Sequence, residues 1–299
     1  MTKRIPHGAV VCGVDGSSCS NAALLAAADL AGREHRALAL VHAFEPSRVV
    51  DADRWRRQPG NDLALATLSR QEADTVLKDA ALVVRGHAPD VEVVTTLREG
   101  DAREVMLAAA EDASVVVVGC RGRGGFARLP IGSVTLWLSQ HSPCPTLVVR
   151  PREEGDPAAP VVVGTDATDT SAAALEFAFA QASFQGRPLV VVHCFDEHFQ
   201  GGYGLTSIPD EDLEGLPTER LAIAEATAGL REKYPDVDVR IELGRGPAGP
   251  YLVRASEHAE LLVVGSKQLS SFAALVLGAV SRSVVEHAAC SVAVVPVSR

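Results

Sequence analysis

Ala9-Val-Val-Cys-Gly-Val-Asp15 is a short, unbroken apolar run that stops at an acid, and Pro160-Val-Val-Val-Gly-Thr-Asp166 repeats it 151 residues later. The same offset relates Ala39-Leu-Val-His42-Ala-Phe44 to Val190-Val-Val-His193-Cys-Phe195. Farther along, Val115-Val-Val-Val-Gly119 matches Leu261-Leu-Val-Val-Gly265, Gly132 matches Gly278, and His141-Ser-Pro-Cys144 matches His287-Ala-Ala-Cys290, all at an offset of 146. An offset this steady, with one net change of five residues, is the mark of a tandem duplication. Arg152-Glu-Glu-Gly-Asp-Pro-Ala-Ala-Pro160, polar and broken by prolines and a glycine, reads as the linker. The expected domains are residues 1–151 and 160–299.

Each repeat alternates β-branched runs with longer Ala- and Leu-rich segments. That is the pattern of a parallel sheet with crossover helices. In the first repeat strands are expected near 9–14, 38–42, 91–96, 115–118 and 146–149. Ser17 or Ser18 can cap a helix over 21–31, and further helices are expected over 63–85, over 101–111 and from Gly132 onward. The strands are apolar on both faces, as they must be when helices cover both sides of the sheet. The expected fold class is α/β, two tandem doubly wound domains, each a five-stranded parallel sheet of order 3-2-1-4-5. In such sheets a ligand sits beyond the carboxyl ends of the strands where the order reverses, so the loops after the first and fourth strands are the ones to examine.

Composition supports a globular chain: 47% of the 299 residues are apolar and 22% charged. Apolar runs are strand-sized, well short of the roughly 18 to 20 residues that span a bilayer. The run after Lys3 and Arg4 ends at Asp15 and is too short for a signal peptide. A cytoplasmic protein without membrane partners is therefore expected. The net charge of −10 argues against a nucleic-acid partner. All of that excess lies in residues 151–299, with 11 Lys and Arg against 21 Asp and Glu, whereas residues 1–150 carry 17 of each. An anionic ligand should prefer the first repeat. The six cysteines form no C-x-x-C pair or metal-ligand spacing, and most are expected to pack as small hydrophobes.

After the fourth strand of the first repeat comes Gly119-Cys-Arg-Gly122, nine residues, then Gly132-Ser133-Val134-Thr135 opening a helix. Glycines let a backbone approach an anion, a helix start offers unpaired N–H groups, and Ser133 and Thr135 add hydroxyls. Arg121, Arg123 and Arg128 lie in the loop with no acid among them. These are the parts of a phosphate cradle.

The spacing G-x-x-G, nine residues, G-[ST] resembles the ATP-binding motif of the universal stress protein family. So do Gly13-Val-Asp15-Gly-Ser17, the Val-His that ends the second strand, and His141-Ser-Pro-Cys-Pro-Thr-Leu-Val-Val149. The resemblance covers nearly the whole chain. It implies that Gly13, Asp15 and the backbone around Val41 hold the nucleoside end of ATP. Gly119, Arg121, Gly122, Gly132, Ser133, Val134 and Thr135 would hold the phosphates, with Mg2+ accompanying them. It also implies that the last strands, 146–149 and 291–295, pair antiparallel with each other inside the chain across a pseudo-twofold axis; a further homodimer is a candidate assembly, beside protein partners that the sequence does not identify.

The second repeat departs from the motif. Gly265-Ser-Lys-Gln268 puts glutamine where the second glycine belongs, a place where a positive φ or a close phosphate would exclude it, and Gly278-Ala279 lacks the hydroxyl, while Ser281 stands at the place of Thr135. Asp166, Val192, Gly265, Gly278 and Ser281 are the corresponding, weaker site residues. Other patterns lead elsewhere less well. Gly244-Arg-Gly246-Pro-Ala-Gly249 matches a dinucleotide fingerprint but follows a third strand, not a first. His42, His193, His141 and His287 recur in both repeats, which favours a fold role. The polar excursions 45–62 and 196–217, with Trp55 and the arginines around it, read as solvated loops. No catalytic residue stands out, so the expected function is an ATP-binding, nucleotide-dependent regulator in stress or growth control. The alternatives are a slow ATP hydrolase and an interaction module that binds no nucleotide.

Overall fold

A computed structural model of the chain describes residues 4–45, 61–122, 130–151, 156, 158–195, 206–207, 217–266 and 277–297. It divides into two units, Met1–Pro151 and Arg152–Arg299.

The first unit runs β1 (Ala9–Gly13), α1 (Ser18–Arg33), β2 (Leu38–Phe44), α2 (Asn61–His87), β3 (Val93–Glu99), α3 (Ala102–Ala110), β4 (Ala113–Gly119), α4 (Ser133–His141) and β5 (Thr146–Val149). Its strands lie in the order β3-β2-β1-β4-β5, every neighbouring pair parallel. Val10, Cys12, Leu38, Leu40, Val115 and Val117 are buried against Leu24 and Ala28 of α1 and Leu77 and Val84 of α2. α1 starts where Ser17 accepts a hydrogen bond from the Ser20 N–H (3.2 Å), and α3 where Asp101 accepts from the Arg103 N–H (2.7 Å). α1 ends with His35 in the left-handed region at φ 52° and the Arg36 N–H bonded back to the Ala31 carbonyl.

The second unit repeats the plan: β6 (Val161–Thr165), α5 (Ala172–Gln185), β7 (Leu189–Phe195), β8 (Thr206–Ser207), α6 (Pro217–Lys233), β9 (Val239–Arg245), α7 (Ala248–Ala255), β10 (Leu261–Ser266), α8 (Ala279–His287) and β11 (Ser291–Pro296). From β11 the order runs β11-β10-β6-β7-β9-β8. The first five strands are parallel and reproduce 3-2-1-4-5. β8 is an addition to the five-stranded expectation. It pairs antiparallel with the end of β9, Thr206 opposite Arg245 and Ser207 opposite Gly244, within a segment that reads from sequence as a solvated loop.

One boundary differs instructively from the sequence reading. β3 begins at Val93, two residues later than expected, because Val91 and Glu92 still belong to the connection, where Val91 N–H bonds the Ala88 carbonyl and Glu92 accepts from Leu38. In the second unit a 3-10 turn at Asp169–Ser171 replaces the first turn of the helix, so α5 starts at Ala172. Among the described residues no helix is long and apolar enough to cross a membrane.

Candidate functional site

In the first unit the chain turns outward on both sides of the β1–β4 boundary, β1 leading toward β2 and β4 toward β5. The carboxyl ends of β1 and β4 therefore open a crevice that no crossover fills. Asp15 stands just beyond β1. Its Oδ1 accepts from the Ser17 N–H (2.9 Å) and its own N–H donates to Ser20 Oγ (3.0 Å), so the turn and the α1 cap hold the carboxylate in place.

The loop after β4 lies directly against this turn. A Cβ built on Gly119 would sit 2.6 Å from the carbonyl carbon and oxygen of Cys19, so α1 runs too close to β4 for any side chain there. A Cβ on Gly122 would sit 2.4 Å from Asp15 Oδ2. Gly122 is not among the glycines with positive φ. Glycine at 122 leaves space beside the Asp15 carboxylate, and of the two constraints expected at this position, a positive φ and a close phosphate, the first is not what requires it. Asp15 and the glycine loop, read from sequence as holding opposite ends of a ligand, are neighbours.

α4 begins at Gly132, whose N–H donates to the Cys120 carbonyl (2.8 Å) and whose carbonyl accepts from Leu136. No side chain caps this helix, in contrast to α1 and α3. Ser133 at its start is exposed and Val134 half-buried. A Cβ on Gly132 would meet nothing nearer than 3.5 Å, and φ there is an ordinary −74°. The fold itself does not require this glycine.

Thr135 plays a different part from the one its sequence position suggests. It is buried and its hydroxyl donates to the Gly119 carbonyl (2.8 Å), fastening α4 to the end of β4. Ser281 does the same in the second unit, donating to the Gly265 carbonyl at 2.7 Å. The hydroxyl preserved in the degraded repeat is this structural one. Val41 and Val192 are buried, and the Val41 carbonyl accepts from the Val14 N–H (2.9 Å), so only backbone is offered there. Gly13 packs against Met106, and Arg121 is exposed beside Gly122. Arg123, Arg128, Lys267, Gln268 and the excursion around Trp55 lie outside the described residues.

The second site is assembled on the same frame with different furniture. Asp166 accepts from the Thr168 hydroxyl (2.6 Å) and N–H (3.2 Å), and α8 starts at Gly278 without a side-chain cap. A Cβ on Gly265 would meet the Thr170 carbonyl only at 3.8 Å. The recurring histidines are fold elements: His42 and His193 bond the carbonyls of Val14 and Thr165, and His141 and His287 bond carbonyls one turn back in their own helices. Gly244 of the dinucleotide-like run lies against the Tyr251 ring, 2.7 Å from where a Cβ would stand, so packing accounts for it. Among the described residues no group of three or more His, Cys, Asp or Glu could hold a metal ion.

One arrangement escapes a linear reading. Cys19 and Cys120 bring their sulfurs to 3.5 Å behind the loop. Comparing the repeats gives the available signal, since Thr170 and Ser266 stand at the matching places and both thiols are lost together.

The Universal stress protein family matches residues 7–150 and again 158–296. A universal stress protein of Mycobacterium tuberculosis is 33% identical over 296 residues, covering 96% of this chain and 95% of the relative. One of Mycolicibacterium smegmatis is 31% identical over 302 residues, with 99% of each covered. The crystal structure of a universal stress protein from Archaeoglobus fulgidus superposes with a TM-score of 0.69, covering 96% of this chain and 98% of that one; its 19% identity makes this a likeness of fold.

Proposed function

Since this chain belongs to the universal stress protein family in both of its halves, we propose that its first unit binds ATP and that the protein acts as a nucleotide-dependent regulator of stress or growth. The observation that carries the reading is the uncapped start of α4 facing the Gly119–Gly122 loop at the β1–β4 switch point. Helix-start N–H groups and their dipole favour an anion. Gly132 supports the same reading: a Cβ there would meet none of the described residues nearer than 3.5 Å, and its lack of a side chain would leave the helix start open to a phosphate. Gly119, Gly122, Ser133 and Val134 would contribute backbone, Ser133 a hydroxyl, and Arg121 a positive charge. Gly13, Asp15 and the Val41 backbone would hold the nucleoside end. Mg2+ would come with the nucleotide, held through phosphate oxygens and water as that ion prefers.

The groups bordering the loop are tied into the fold: Asp15 Oδ1 to the Ser17 N–H and the Thr135 hydroxyl to Gly119. They suit holding a nucleotide better than turning it over. Occupancy would order the loop and alter the surface offered to a protein partner in the cytoplasm or to a second copy. The second unit, keeping Asp166, Val192, Gly265, Gly278 and Ser281 but not the second glycine, would bind more weakly.

Titration calorimetry with ATP and Mg2+ tests the reading, with Gly122→Glu as the control that sets a second carboxylate beside Asp15. One site per chain, lost in the variant and accompanied by negligible phosphate release, is the expected result. No heat of binding by the wild type would refute it and favour an interaction module; rapid phosphate release would make the protein an enzyme.

A further inference from the structure

Cys19 and Cys120 are far apart in sequence and adjacent in space, with sulfurs 3.5 Å apart. Cys19 lies in the first turn of α1, and Cys120 follows Gly119 in the glycine loop. The approach of backbones that forbids a side chain at 119 also leaves a Cβ there 2.9 Å from the Cβ of Cys19, so the two chain segments are already in van der Waals contact. Cys120 is a backbone junction as well. Its N–H donates to the Val149 carbonyl (3.0 Å) and its carbonyl receives the Gly132 N–H, joining β4, β5 and the start of α4. Both thiols are buried, at 8% and 4% exposure. The repeat that has lost the second loop glycine has also lost both thiols, to Thr170 and Ser266, whereas Cys144 and Cys290 recur in both repeats as matched buried residues.

We infer that Cys19 and Cys120 form a reversible disulfide in response to hydroperoxides, clamping the first turn of α1 to the glycine loop. The balance is that of ordinary thiol oxidation. One thiol, as its thiolate, attacks the peroxide oxygen, giving a sulfenic acid and releasing water or an alcohol; the second thiol displaces hydroxide from the sulfenic sulfur, and a second water leaves. The two thiols give up two electrons and the O–O bond takes them. A thiol reductant reverses the change by exchange. A disulfide is about 2.05 Å long, so the sulfurs must close by about 1.5 Å. Burial is the largest cause holding the Cys120 thiol above its usual range, which keeps that thiol protonated at rest and slows its oxidation. Because Cys120 carries the Gly132 N–H, closure shifts the start of α4 relative to the loop. The consequence for nucleotide binding rests on the ATP reading given above; the disulfide does not.

The test uses the full chain with hydrogen peroxide as the oxidant. After treatment, denaturation and alkylation, the free thiols should fall from six to four. A non-reduced tryptic digest should join the peptide holding Cys19 to the one holding Cys120, and dithiothreitol should undo the link. Cys12 shares a tryptic peptide with Cys19, so Cys19→Ser and Cys120→Ser are the deciding variants: each should keep its remaining five thiols. Hydroxyl residues already occupy both places in the second repeat, so these variants are compatible with the fold. Six thiols persisting, oxidation without a cross-link, or a link through Cys12 would overturn the proposal. Calorimetry then reads the coupling. Oxidation should weaken ATP binding by a factor on the order of tenfold in the wild type and leave Cys19→Ser unchanged. Equal binding in both oxidation states would overturn the coupling. A reduced protein that binds no ATP would refute the nucleotide reading while the peptide map still decides the disulfide.

Discussion

Gly122→Ala is the sharpest probe of the candidate site. The added methyl would stand 2.4 Å from Asp15 Oδ2, about 1 Å inside ordinary contact. The carboxylate cannot simply swing away, because the Ser17 N–H holds its Oδ1 at 2.9 Å and the Asp15 N–H is held by Ser20 Oγ. Overpacking of this kind costs about 1–3 kcal/mol. Removing the carboxylate should remove most of the clash. Asp15→Ala alone should cost about 1 kcal/mol for its lost hydrogen bond, and Gly122→Ala added to it should then cost no more than about 0.5 kcal/mol. The double variant should thus be more stable than the sum of the single ones predicts, by about 0.5–2.5 kcal/mol. Both tryptophans, Trp55 and Trp137, belong to the first unit, so tryptophan fluorescence during urea unfolding reports that unit without interference from the other. Strict additivity of the two substitutions would show that Gly122 and Asp15 are not in contact and would remove the steric account of the motif's second glycine.

The duplication supplies matched comparisons for other positions. His35 and Gly186 occupy equivalent left-handed helix ends, at φ 52° and 61°, and a side chain on Gly186 would touch nothing within 4 Å. Weighing left-handed strain against the greater freedom of unfolded glycine, His35→Gly should stabilise the first unit by about 0.5–1 kcal/mol and Gly186→Ala should destabilise the second by as much, read by native-state hydrogen exchange of each unit. Gly119→Ala should cost the first unit at least about 2 kcal/mol, because the obstruction is Cys19 backbone, whereas Gly265→Ala should be nearly neutral; similar exchange rates in the two variants would contradict this. Burial pushes the Cys12 thiol up to about 12 from 9.0. Below pH 9 folded and unfolded chains are both protonated at this site, and above it the unfolded chain loses a proton that the folded one keeps. Stability should fall by about 1.4 kcal/mol per pH unit from this thiol alone, and Cys12→Val, copying the buried Val163, should flatten that limb in urea titrations between neutral pH and pH 10.5.

The fold was legible because its strands are buried on both faces and therefore spell continuous Val, Leu and Ala runs that a repeat search aligns. β8 escaped because two residues pairing with the end of β9 carry no pattern of their own. The late start of β3 escaped because Val91 belongs to the connection while sharing the strand's composition. In the candidate site, residue types marked positions that the fold gathers at the ends of β1 and β4, while their contacts needed coordinates. The Thr135 hydroxyl, read as a phosphate donor, fastens α4 to β4, and Gly122, read as part of a phosphate cradle, also leaves room for the Asp15 carboxylate. Contacts such as Cys19 with Cys120 join segments more than 100 residues apart, which no local pattern encodes.

The strand order that opens the crevice also sets a timetable. Val10 of β1 pairs with Leu38 on one side, 28 residues on, and with Val115 on the other, 105 residues on. At about 5–20 residues per second of synthesis, β1 and β2 can pair within a few seconds, while the β4 side of β1 stays open for about 4–15 s more. Throughout that interval an apolar strand edge is exposed on the nascent chain, and the ligand crevice does not exist. The nucleotide proposed for this crevice would therefore stabilise the first unit only after β4 has emerged. During translation, any protection of β1 must come from α1 folding over it or from a chaperone.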